Sequence, residues 1–122
     1  MGRVIAVDGS PSMIEKAKEN LPGERVEFIC QNLVELQLCQ TVDHVFSNAT
    51  FHWIADHEAL FSRIHEAVKP GGMLVAQCGG RGNVAEIVGA LEQVGTEEPF
   101  AEFVGETRVP WNFAGSDETE IR

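Results

Sequence analysis

The chain is poor in basic residues. Nine Lys and Arg stand against nineteen Asp and Glu, for a formal net charge of -10. Binding a nucleic-acid backbone draws on clustered Lys and Arg, so the charge disfavours DNA and RNA, and no nucleic-acid partner is expected. The acidity instead fits a soluble cytoplasmic protein. No run approaches the roughly 20 apolar residues that a membrane span needs. Met1-Gly2-Arg3 leads straight into an apolar strand with no leader pattern, and Ala6 stands where a lipidation signal carries Ser or Thr. The cysteines, Cys30, Cys39 and Cys78, show no C-x-x-C spacing. That excludes the common zinc and redox motifs and predicts buried free thiols in a reducing compartment. His44, His57 and His65 show no metal-ligand spacing either, so no metal is expected. Internal repeats and low-complexity segments are absent. At 122 residues and 43% hydrophobic composition, one small domain with a core is expected.

What is present begins with Val4-Ile5-Ala6-Val7, a short β-branched run. It predicts a strand of a parallel sheet covered on both faces. Asp8 and Gly9 follow, then Ser10-Pro11, which starts a helix: Ser caps free N–H groups and Pro fits the first helical position. Asp8 is thus placed at the carboxyl end of a parallel strand, where open α/β sheets bind ligands. A carboxylate there suits a ribose, because it accepts from both hydroxyls of a vicinal diol.

The helix is expected over residues 12–21, with Ile14, Ala17 and Leu21 as a narrow apolar stripe. Residues 26–30 read as the next strand, 31–33 as a loop and 34–39 as a short helical turn. Residues 42–47 read as a third strand ending at Asn48. The aromatic-rich stretch 49–54 fits no single element. Asp56 caps a helix through Val68 with Leu60, Phe61, Ile64, Ala67 and Val68 as its core face. Lys69-Pro70-Gly71-Gly72 is read as a break, and 73–78 as a fourth strand. After the Gly79-Gly80-Arg81-Gly82 loop, Asn83 is expected to cap a helix whose core face is Val84, Ile87, Val88, Leu91 and Val94, ending at Gly95. Val109, Trp111 and Phe113 alternate as in an edge strand that Pro110 interrupts. Ser116-Asp117-Glu118 reads as a helix's first turn, with acids suited to its dipole. The order of elements argues an α/β fold with a parallel sheet.

Four segments, in order, resemble class I S-adenosylmethionine-dependent methyltransferases. Residues 4–13 are similar to the family's second strand and turn, and 26–33 to its third strand and adenine loop. Residues 43–53 are similar to the segment around the end of its fourth strand, and 69–74 to the turn into its fifth. Phe-Ser-Asn-Ala-x-x-His-Trp, with Gly-Gly-Arg-Gly-Asn and the later Pro-Trp, is most similar to the trans-aconitate methyltransferase-like branch.

The resemblance implies a partial Rossmann-like parallel sheet with flanking helices. It implies S-adenosyl-L-methionine as cofactor and a small-molecule acceptor, with a carboxylate as one candidate. Asp8 would bind the ribose, Gly9, Ser10 and Met13 would line the adenosine pocket, and Leu33 would cover the ring. Asn32 stands where the family usually has Asp, accepting from the adenine amino group. Asn48 would face the methionine part, and Phe51, His52 and Trp53 would wall the acceptor. No catalytic base is implied, since aligned methyl transfer does not always need one.

The family's first strand and its glycine-rich loop have no counterpart before Arg3. The expectation is therefore an internal piece: an incomplete core over 1–95 and a tail over 96–122, with impaired cofactor binding on its own. Strand edges left unpaired would favour self-association. Two other readings stay open, a non-catalytic domain acting with a partner and a nicotinamide-binding oxidoreductase module, whose ribose an acid at this position would also bind.

Overall fold

The structure is a computed structural model and describes residues 2–21, 23–105 and 109–121. The first apolar run forms β1 (Val4–Asp8), which pairs in parallel with β2 (Val26–Cys30), in register from Val4 opposite Val26 to Asp8 opposite Cys30. Parallel strands need a crossover, and α1 (Pro11–Asn20) supplies it. Its start follows the sequence reading: Ser10 Oγ accepts from the Met13 N–H at 3.4 Å and Pro11 opens the helix. Ile14 is buried and Ala17 half-buried, but Leu21 is 57% exposed. Leu21 has left helical geometry at the C-cap (φ -124°), so its side chain departs from the stripe.

The chain divides into two compact units, Met1–Val45 with Asp56–Leu74 and Phe46–Ala55 with Val75–Arg122. In the first, α2 (His57–Ala67) packs on the 3₁₀ turn Leu33–Glu35. The Asp56 carboxylate caps α2 by accepting from the Ala59 N–H at 2.9 Å. Leu60, Ile64 and Ala67 are buried, as their spacing predicts, with Leu36 beside them in the core; Phe61 and Val68 are half-buried. The β1–β2 pair departs from expectation. No residue of β1 is buried and Val4 is 56% exposed. Among the described residues, the element that packs on the pair is α1, and β1 has a strand neighbour on one edge alone. The ladders β1–β2 and β3 (Val42–Asn48)–β4 (Val68–Gln77) are not hydrogen-bonded to each other.

Strand β4 starts at Val68, with no loop after α2, so the expected break lies inside the strand. Gly71 takes φ 80° and absorbs the turn within the ladder. Gly72 follows with its α-carbon so close to Val68 and to the Asp43 carbonyl that a side chain has no room.

The second unit holds the 3₁₀ turn Phe51–Trp53, α3 (Ala85–Val94), α4 (Ala101–Val104) and α5 (Ser116–Ile121). Asn83 does not cap α3. Val84 holds that position in the left-handed region (φ 54°), without a side-chain cap. The apolar face of α3 is not core: Ile87 is 60% and Leu91 39% exposed, and Val88 and Leu91 line an open groove with Val104 and Val109. Periodicity placed these residues on one side correctly, but among the described residues that side is covered only in part, by α4 and Val109. Residues 109–115 form no strand. Pro110 has no N–H to give a ladder, and Asn112 N–H instead donates to the His52 carbonyl at 2.7 Å. The cysteines are free but exposed, not buried, because they stand at strand ends or in loops.

Candidate functional site

Asp8 closes β1, half-buried, and its carbonyl accepts from the Gln31 N–H at 3.1 Å. That bond carries the β2 ladder one step past Cys30 and sets the loop at 31–32 beside the loop at 9–10. The Asp8 Oδ1 accepts from the Ser10 N–H at 2.8 Å. That bond makes the acid a turn former, and the geometry still leaves room for the ribose role read from the sequence. Oδ1 keeps a second lone pair, and Oδ2 makes no hydrogen bond among the described residues. Gly9 lies in ordinary contact with the Gln31 carbonyl, 3.6 Å from where a Cβ would stand.

Met13, on the first turn of α1, is 59% exposed and is not part of the core. Asn32 is exposed and its Oδ1 accepts from the Val34 N–H at 3.3 Å, capping the 3₁₀ turn. Part of its acceptor capacity is therefore already used. Leu33 is half-buried at the same loop. The loops after two adjacent parallel strands thus carry a carboxylate, an exposed thioether, an amide and a leucine. This donor set fits an adenosine: acceptors for a diol and an amino group, and apolar surface for a ring.

The remaining predicted residues lie in the second unit. Asn48 ends β3, exposed, and its carbonyl accepts from Thr50 Oγ1 at 3.1 Å. Ala49 follows in the left-handed region (φ 56°), its N–H donating to the Gln77 carbonyl at 2.7 Å. This bend leads into the Phe51–Trp53 turn. Phe51 is 3% exposed, so it anchors the turn from beneath and presents no face to a ligand. His52 is half-buried, and its Nδ1 accepts from the Gly79 N–H at 3.2 Å. That bond occupies the Nδ1 lone pair. A base acting through Nδ1 would have to break it.

Around His52 stand Trp53, expected at the site, and two rings that the sequence reading did not assign to one, Phe113 and Trp111. Phe113 lies 5.5 Å and Trp53 5.7 Å from it, centroid to centroid, while Trp111 meets Trp53 edge-on at 5.8 Å and Phe113 at 5.9 Å. Trp53 is 57% exposed, and Trp111 and Phe113 are half-buried. Alternation had marked Trp111 and Phe113 as strand residues; their aromatic character beside Phe51-His52-Trp53 was the signal for a wall.

A parallel strand pair joined by a crossover helix, with an acid at the strand end, is an α/β arrangement of a kind that can bind nucleotides. Comparison with known proteins narrows the class. Residues 1–76 match the family described as Methyltransferase domain, and the chain belongs to it. A malonyl-[acyl-carrier protein] O-methyltransferase of Priestia megaterium is 34% identical over 84 residues, 69% of this chain and 31% of that protein. A trans-aconitate 2-methyltransferase of Variovorax paradoxus is 34% identical over 104 residues, 84% of this chain and 39% of that protein. The crystal structure of an S-adenosylmethionine dependent methyltransferase from Mesorhizobium loti superposes with a TM-score of 0.60 at 28% identity, over 65% of this chain and 37% of that one. The fold is thus that of the class I S-adenosylmethionine-dependent methyltransferases, and nothing supports the oxidoreductase reading. The chain spans between 28% and 46% of the length of the first curated relatives it matches.

Proposed function

We propose that this chain contributes to methyl transfer from S-adenosyl-L-methionine to a small molecule bearing a carboxylate. The observation that carries the cofactor half is the Asp8 carboxylate at the β1 end, held by Ser10 N–H and with Oδ2 left to accept. Asp8 binds the ribose hydroxyls, Met13 and Leu33 cover the adenine, Asn32 accepts from its amino group, and Gly9 and Ser10 line the pocket. Asn48 faces the methionine part. When bound, the cofactor supplies an electrophilic methyl group whose C–S bond breaks, leaving its electron pair on sulfur, as an acceptor oxygen forms the new C–O bond.

The carboxylate reading rests on two supports. The relatives' names specify malonyl and aconitate groups, both carboxylates. A carboxylate oxygen also reaches the methyl group without losing a proton, so no base is needed. His52, with Nδ1 already accepting from Gly79 N–H, therefore serves with Trp53 as wall, and Phe51 holds their turn. The free thiols fit a reducing cytoplasm.

Isothermal titration with S-adenosylmethionine, followed by radiolabelled methyl transfer to trans-aconitate and to its trimethyl ester, tests this. Label should pass to the acid only. Weak binding is expected of an incomplete core; transfer to the ester, or no detectable cofactor binding at all, refutes it. A second reading, association through strand edges, is favoured by the separate β1–β2 and β3–β4 ladders. Sedimentation of a concentration-independent monomer would end it.

A further inference from the structure

Arg81 sits in the glycine-flanked turn after β4 and is the sole Lys or Arg among the described residues of its unit. Its guanidinium lies over Gly115, where a Cβ would come within 2.7 Å of Cζ. Arg81 Nη2 meets Asp117 Oδ1 at 3.2 Å and Glu118 Oε1 at 3.0 Å. The Glu118 Oε2 accepts from the Gly115 N–H at 2.9 Å. Both acids stand on α5, and all three side chains are exposed.

The surroundings connect this cluster to the aromatic wall on two chain segments. Gly79, two residues before Arg81, donates to His52 Nδ1, and a Cβ on it would collide with the Phe113 ring. Phe113 in turn is two residues before Gly115. Two carboxylates converging on one guanidinium is the arrangement a small polycarboxylate would itself make. Only Nη2 of the fork is engaged among the described residues, so its remaining donors stay open to a ligand. Exposed ion pairs of this kind hold weakly and exchange readily.

We propose that Arg81 is a specificity-determining residue that reads a carboxylate of the acceptor, and that Asp117 and Glu118 occupy its guanidinium until the acceptor displaces them. This deepens the proposed function and rests on its carboxylate acceptor. In this arrangement α5 is an internal competitor, and its two acids set the acceptor concentration needed for binding. A neutral isostere of the acceptor has nothing to offer Arg81 and does not displace α5.

The test is titration of the full chain with tricarballylate, an unreactive tricarboxylate, followed by the emission of Trp53 and Trp111. Asp117→Asn/Glu118→Gln should tighten binding about three- to tenfold, since two weak exposed pairs are removed. Arg81→Gln should weaken it about fivefold or more, and Arg81→Lys should fall between, having the charge without the planar fork. Glu97→Gln/Glu98→Gln removes the same two charges without touching Arg81 and should leave binding unchanged. Equal binding by Arg81→Gln and the parent chain overturns the proposal. So does tightening by the Glu97/Glu98 control to match the α5 variant, or failure of the α5 variant to bind at all. The titration needs no cofactor. If S-adenosylmethionine fails to bind while this pattern holds, the methyl-transfer reading falls and the carboxylate site stands. If label transfers but the pattern fails, the Arg81 proposal alone falls.

Discussion

Replacing Asp8 separates its two roles, because the two oxygens are differently engaged. In Asp8→Asn an amide oxygen can still accept from Ser10 N–H, now 2.8 Å from Oδ1, so the turn into α1 survives. What is lost is charge. Hydrogen bonds to charged groups exceed neutral ones by about 1 to 1.5 kcal/mol, so cofactor binding should weaken about tenfold for each ribose contact affected. In Asp8→Ala both ribose contacts go, about 3 kcal/mol or more and thus above about a hundredfold. The half-buried Ser10 N–H also loses its acceptor, about 1 kcal/mol of stability and about 4 °C in Tm for a domain of this size. Titration calorimetry and thermal melting on the two variants give all four numbers. Asn32→Ala provides the comparison: its neutral, partly committed oxygen should cost only about 0.5 to 1.5 kcal/mol of binding. Undiminished binding by Asp8→Asn, or equal losses in Asp8→Ala and Asn32→Ala, would refute the assignment of Asp8 to the ribose.

Three further outcomes follow from backbone and charge. Gly72→Ala places a methyl group against Val68 and the Asp43 carbonyl and should cost about 1 to 3 kcal/mol, read as a lower urea midpoint; an unchanged midpoint would show that β4 has room there. Val84→Gly relieves a β-branched residue at φ 54° and should stabilise by about 1 kcal/mol, so a lowered Tm would mean the Val84 side chain contributes more than its strain costs. Gly115 N–H and then Arg81 hold the Glu118 carboxyl below its ordinary value of 4.5. A depressed folded pKa gives stability that is full above the unfolded value and lost as pH falls through the folded one. Tryptophan emission should therefore change on acidification below about pH 4.5, and Glu118→Gln should flatten that change; an identical acid profile in the variant would count against the tie.

The parts that local chemistry decides were legible in the sequence. Val4 to Pro11 carries its strand, acid and cap within eight residues, and each stands where it was read, though the strand lacks the cover expected on both faces. The same holds for Asp56 and the Leu60, Ile64, Ala67 stripe of α2. What was not legible depends on distant partners. Pro70-Gly71-Gly72 reads as a stop, yet pairing with β3 carries the strand through it. The period of α3 shows which side is apolar but not whether anything packs there. Alternation at Val109, Trp111 and Phe113 mimics a strand, while the ring contacts that place Trp111 and Phe113 come from residues some sixty positions away. The strand-end location of Asp8 was readable; the contact of Arg81 with α5, thirty-six residues on, had no local signature.

The rung of the parallel ladder that ends in Asp8 ends on the other strand in Cys30, and that thiol is exposed. Neighbouring strands lie about 4.8 Å apart, so the sulfur-bearing residue stands next to the acid assigned to the ribose. The protein therefore carries its own chemical reporter. On the proposed assignment, a nucleoside bound at Asp8 would narrow the approach of an alkylating reagent to Cys30. Oxidants reach the exposed thiol as well, so storage without reductant would place a sulfenic acid or a mixed disulfide beside Asp8. Cys39 and Cys78, exposed elsewhere, supply the internal reference against which such protection is counted.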